Sequence, residues 1–66
     1  MPLKWTDVRE IVEALQACYP AEDPKVIKFT DLYKWVCGLE NFGDDPKRCN
    51  ERVLEAIQSL WIEEAS

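Results

Sequence analysis

The residues whose types and spacing can do chemistry in this chain are its carboxylates. Asp7, Glu10 and Glu13 follow at three-residue steps, which brings neighbours onto one side of a helix. Glu40, Asp44 and Asp45 surround a corner marked by Gly38, Gly43 and Pro46. Carboxylate oxygens of this kind hold a hard or borderline divalent cation with water completing its shell, or they face a basic protein surface. Nothing in their order matches an EF-hand loop, so a cation site built from them is open and poorly selective. A third role needs no ligand: a solvated face, with acids complementing the start of a helix. Spacing alone leaves all three open.

Other chemistry finds little support. Cys18, Cys37 and Cys49 are odd in number and form no CxxC, and the chain has no histidine. A disulfide framework or a zinc site of the usual Cys/His type therefore lacks partners, and the cysteines read as reduced, half-buried thiols. Ser59 and Ser66 stand late in a helix and at the end of the sequence, with no histidine to act as their base. No Gly-rich phosphate loop is present. A chain of 66 residues has little room for a pocket that retunes paired carboxylates, so the sequence is not read as an enzyme.

Charge and length narrow the partners. Thirteen acids against eight bases give a net charge of −5, which opposes nucleic acid and suits a cation or a basic protein. No apolar run is long enough to span a membrane, and the first residues lack the apolar core of a signal peptide, so a cytoplasmic location is expected. Residues 1–66 are read as a single domain, near the lower size limit for a core without staples.

The elements that must position these acids are helices. Val8, Ile11, Val12, Leu15, Cys18 and Tyr19 fall on one face of a helix over 7–18, capped by Thr6 or Asp7, with Glu10 placed for a capping box. Lys25–Phe29 is too short for a lone strand and reads as an extended connection. Thr30 is the cap candidate for a second helix over 31–38, with Leu32, Trp35, Val36 and Leu39 inward. Asp45-Pro46 opens the longest helix, 46–64, with Cys49, Val53, Ala56, Ile57, Leu60 and Trp61 on one face and Gln58 opposite. The predicted core contains Trp5, Leu15, Trp35, Leu39, Ile57 and Trp61. These expectations describe an all-α fold, a three-helix bundle of helix-turn-helix type.

Laid end to end, the motifs resemble the IscX (YfhJ) family, small acidic proteins of bacterial iron–sulfur cluster assembly. The residues that carry the resemblance are Leu3-Lys-Trp-Thr-Asp7, Glu10-Ile11, Tyr19-Pro20, Asp23-Pro24-Lys25 and Phe29-Thr-Asp-Leu32. They continue with Trp35-Val-Cys37, Leu39, Phe42, Asp44-Asp-Pro46, Asn50-Glu51, Leu54-Glu-Ala-Ile57 and Trp61. The resemblance implies a winged-helix-like helical domain, monomeric, that binds ferrous iron (Fe2+) weakly through surface carboxylates. It also implies docking on the cysteine desulfurase of the Isc system, in competition with frataxin, where the protein modulates sulfur delivery and cluster formation. The acids it marks are Asp7, Glu10, Asp31, Glu40, Asp44 and Asp45, with Glu13 beside them. Relatives often carry further aspartates where this chain has Gly38, Asn41 and Gly43, which thins the cluster. A protein-interaction regulator of the desulfurase with no metal role is the alternative.

Overall fold

The computed structural model describes residues 2–65. Three α-helices, α1 (Val8–Cys18), α2 (Phe29–Cys37) and α3 (Glu51–Ala65), make up the regular structure of the described residues, with a 3-10 turn at Pro46–Arg48. No strand accompanies them there; a single parallel bridge joins Leu3 to Phe42. The fold is thus all-helical, as the periodicity predicts.

Each helix buries one stripe. Ile11, Val12 and Leu15 of α1 meet Leu32 and Val36 of α2 and Leu54, Ile57 and Trp61 of α3 in one core, joined by Trp5, Ile27 and Leu39. Trp5, Leu15, Leu39, Ile57 and Trp61 are buried as predicted, whereas Trp35 is only half-buried and Cys18 and Ala56 are exposed. Trp35 instead stacks on Tyr19, ring centroids 4.4 Å apart, and meets Trp61 edge-on. Such aromatic contacts contribute about 0.5–1.5 kcal/mol beyond area burial, so the ring is held without being enclosed.

Helix ends differ from expectation for local reasons. Asp7 does stand at the N-cap of α1, but its side chain turns back to accept from the Lys4 N–H at 3.0 Å, so no capping box forms. α2 begins at Phe29 behind Lys28, which puts Thr30 inside the helix. The long helix predicted over 46–64 is split. Asp45 Oδ1 accepts from the Lys47 N–H at 2.9 Å and starts only the 3-10 turn. Cys49 is then extended, and Asn50 makes a new start. Its Oδ1 accepts from the Val53 N–H at 2.9 Å and its carbonyl from the Leu54 N–H, the bonds of an N-cap.

The connection before α2, expected to be extended over Lys25–Phe29, turns over 23–26 and is extended at Lys28, the residue that enters the helix. Asp23 Oδ1 accepts from the Lys25 N–H, and the Asp23 carbonyl from the Val26 N–H. Gln58, expected on the polar face of the last helix, donates from Nε2 to the Pro24 carbonyl at 2.9 Å and to the Ile27 carbonyl at 3.5 Å. Those bonds hold the loop on α3 while Ile27 enters the core and Val26 stays 76% exposed.

Candidate functional site

The first residues are laid against the corner after α2, and this is what positions the acids. Leu3 donates to the Asn41 carbonyl and accepts from the Gly43 N–H. Gly43 is required by the close approach: a Cβ there would collide with the Pro2 Cβ. Trp5 then enters the core, edge-on to Phe42 at 4.7 Å and parallel to Tyr33 at 6.1 Å, with its indole N–H donating to the Asp45 carbonyl at 2.9 Å. Asp44 Oδ2 accepts from the Trp5 N–H at 3.1 Å and its Oδ1 from the Asp45 N–H at 2.7 Å. Those two bonds, that from Trp5 foremost, favour the ionised form and hold the Asp44 carboxyl below its usual range.

The predicted acids therefore separate into distinct settings. Asp7 and Glu10 share a hollow of about 450 Å³ with Pro2, Leu3 and Lys4. Along α1 the positions 7, 10, 14 and 17 form one stripe, since steps of three and four return to the same side. Glu13 is exposed a little further round that helix. Asp44 and Asp45 are turned to the backbone at the corner. Asp31 is exposed in the first turn of α2, with the whole helix between it and Glu40. Among the described residues, no three side chains of Asp, Glu, Cys or His are gathered as a metal-holding group. The oxygens themselves suit ferrous iron, but the arrangement is open rather than a cage.

Two further features were not legible in the spacing. A second hollow, about 390 Å³, lies beside the Tyr19–Trp35 stack and is lined by Ala14, Ala17, Tyr19, Trp35, Glu40 and Asn41 among others. Its lining shares no residue with the first hollow, but Ala14 and Ala17 lie on the α1 stripe of Asp7 and Glu10, and the Asn41 carbonyl accepts from the Leu3 N–H. Elsewhere, Tyr33 and Cys37 of α2 face the 3-10 turn, where the Pro46 carbonyl accepts from both the Tyr33 hydroxyl and the Cys49 N–H. Burial pushes the Cys37 and Cys49 thiols up, against a hydrogen bond from Tyr33 that draws Cys37 back and with the charge of Cys37 adding to the cost at Cys49, so both are poor nucleophiles. All three cysteines are free, Cys18 at the surface and the other two half-buried.

Comparison with known proteins adds two findings. Residues 3–66 match a family model described as iron-sulphur cluster assembly. The chain is also 55% identical over 64 residues to the uncharacterized protein PA3808 of Pseudomonas aeruginosa, a match that spans 97% of each chain.

Proposed function

The chain belongs to the iron–sulphur cluster assembly family, IscX, and we propose that it serves that assembly as an adaptor rather than an enzyme. In this proposal the 66 residues act as one monomeric, winged-helix-like domain in the cytoplasm. The domain docks on the cysteine desulfurase of the Isc system, competes there with frataxin, and modulates sulfur delivery to the growing cluster. No helix among the described residues is long and apolar enough to cross a membrane, which agrees with such a role.

The observation that carries the proposal is the acidic stripe of α1. Asp7 and Glu10 open onto a surface hollow in a chain of net charge −5, an arrangement that steers a basic protein surface towards that side. Ferrous iron, where it binds, is held weakly by Asp7, Glu10, Asp44 and Asp45, with Glu13, Asp31 and Glu40 as outlying acids. Hard oxygen donors supply the affinity, and water completes the shell.

A specific observation favours the metal-free alternative. Asp7, Asp44 and Asp45 each already accept a backbone N–H, so part of their donor capacity is committed to the fold. In that alternative the same acids only match the charge of the desulfurase. Calorimetric titration with purified desulfurase, with and without frataxin, tests the docking. Binding that frataxin displaces supports it; no binding, or a stable complex holding both proteins, overturns it.

A further inference from the structure

We propose that the hollow beside the Tyr19–Trp35 stack is the seat of an arginine side chain presented by the basic partner, which makes it the specific contact within a broader acidic face. This rests on the docking proposed above and adds which side chain is gripped and where.

The hollow has the parts such a seat needs. Trp35 is half-exposed although it belongs to the apolar stripe of α2, and its stack with Tyr19 holds both rings in place. A rigid aromatic pair at a surface loses little freedom when something packs on it, which is why such residues dominate binding hot spots. Ala14 and Ala17 present only methyl groups from α1, which leaves room along an apolar floor. At the rim stands Glu40, exposed and with no ion pair among the described residues. Asn41 adds an amide beside it.

Arginine matches these parts better than lysine. Its guanidinium is flat and weakly hydrated, packs on aromatic rings, and forks onto a carboxylate, while its stem covers apolar surface. A lysine ammonium keeps its water more strongly and meets Glu40 only as a point charge. The occupant is a protein chain rather than a free small cation because the acidity does not stop at the hollow. The α1 stripe runs on through Glu10 to Asp7, so a basic surface seated here meets several acids at once.

The test is nuclear magnetic resonance titration of the whole protein with tri-arginine amide and with tri-lysine amide. Tri-arginine should shift the Trp35 indole and the amides of Ala14, Ala17, Glu40 and Asn41, and should bind roughly three- to tenfold more tightly than tri-lysine. Ala17→Leu fills the hollow from an exposed position and should abolish that preference with an unchanged circular dichroism spectrum. Glu40→Gln should weaken tri-arginine by a similar factor and decides the matter if the first variant unfolds. Shifts spread evenly from Asp7 to Glu13, equal for both peptides, overturn the seat. The same variants are then titrated with the desulfurase. If the enzyme binds them as it binds wild type, the seat is wrong and the docking stands. If it ignores wild type while tri-arginine still fills the hollow, the docking is wrong and the arginine site stands.

Discussion

The indole N–H of Trp5 donates to the carbonyl of Asp45 at 2.9 Å, across a separation of 40 residues. The ring is 3% exposed, so the first residues of the chain are fastened at a buried point to the corner that bears the acids. Trp5→Phe keeps an aromatic ring there but removes the donor. It should cost about 1–3 kcal/mol, since part of that comes from leaving the carbonyl short of a partner. Trp5→Ala adds a cavity and should cost about 3–5 kcal/mol. Urea denaturation of the two variants gives both numbers; a Trp5→Phe protein as stable as wild type would show that the hydrogen bond contributes nothing.

Asp44 makes the corner sensitive to acid. Its carboxyl titrates lower in the folded chain than its ordinary value of 3.8, because the Trp5 and Asp45 N–H groups bond the ionised form. A depressed folded value stabilises the fold above the unfolded value. That stabilisation fades as pH falls from there through the folded value. Wild-type stability should accordingly drop as pH falls below the ordinary value of 3.8, and Asp44→Asn should flatten that drop. Denaturation midpoints at several pH values show it; parallel curves for the two proteins would remove Asp44 from the account.

Helix positions and most of the core were legible because apolar spacing of three and four residues reports burial directly. The details that failed all depend on tertiary partners. Trp35 has the right spacing for the core, but Tyr19 and Trp61 hold it at the edge, and spacing carries no information on which ring ends outermost. Gln58 reads as polar surface because its partners, the Pro24 and Ile27 carbonyls, are set by how the loop folds back. Asp44 could be picked out as an acid at a corner, yet its bond to Trp5 spans 39 residues. Asn50, by contrast, was visible in principle: an Asn one residue before Glu51-Arg52-Val53-Leu54 is a good N-cap. Asp45-Pro46, an equally good start five residues earlier, masked it.

That cap gives a clean prediction. Asn50→Ala removes the bond from the Val53 N–H and should cost about 0.5–2 kcal/mol, whereas Asn50→Asp keeps the acceptor and should cost little. Thermal denaturation separates them. An Asn50→Ala protein as stable as wild type would mean that the start of α3 is held by packing alone.

Gly43 predicts a local rather than a global effect. Any side chain there collides with Pro2, so Gly43→Ala should force the first residues away from the corner. Overpacking of this kind costs about 1–3 kcal/mol. Amide exchange at Leu3 and Trp5 should speed up, while the protected amides of Leu15 and Ile57 change little. Unchanged exchange at Leu3 would show that the segment absorbs the methyl group in place.

The docking proposal makes the most demanding prediction, because acids and bases must behave oppositely. Attraction between exposed charges is screened over a Debye length of about 8 Å at physiological salt, so affinity for the desulfurase should fall steeply as salt rises. Glu10 is exposed in the first turn of α1 and bonds nothing that holds the fold together, so Glu10→Lys should weaken binding with the helix content intact. Lys25 lies on the exposed turn before α2, and only its backbone N–H is used there, by Asp23. Lys25→Glu should therefore leave binding nearly unchanged or strengthen it slightly. Calorimetric titration of wild type and both variants at two salt concentrations decides the matter, with circular dichroism as the control for folding. Salt-independent affinity, or equal losses from the two reversals, would move the contact off the acidic stripe to an apolar surface. The exposed Val26 would then be the first residue to replace.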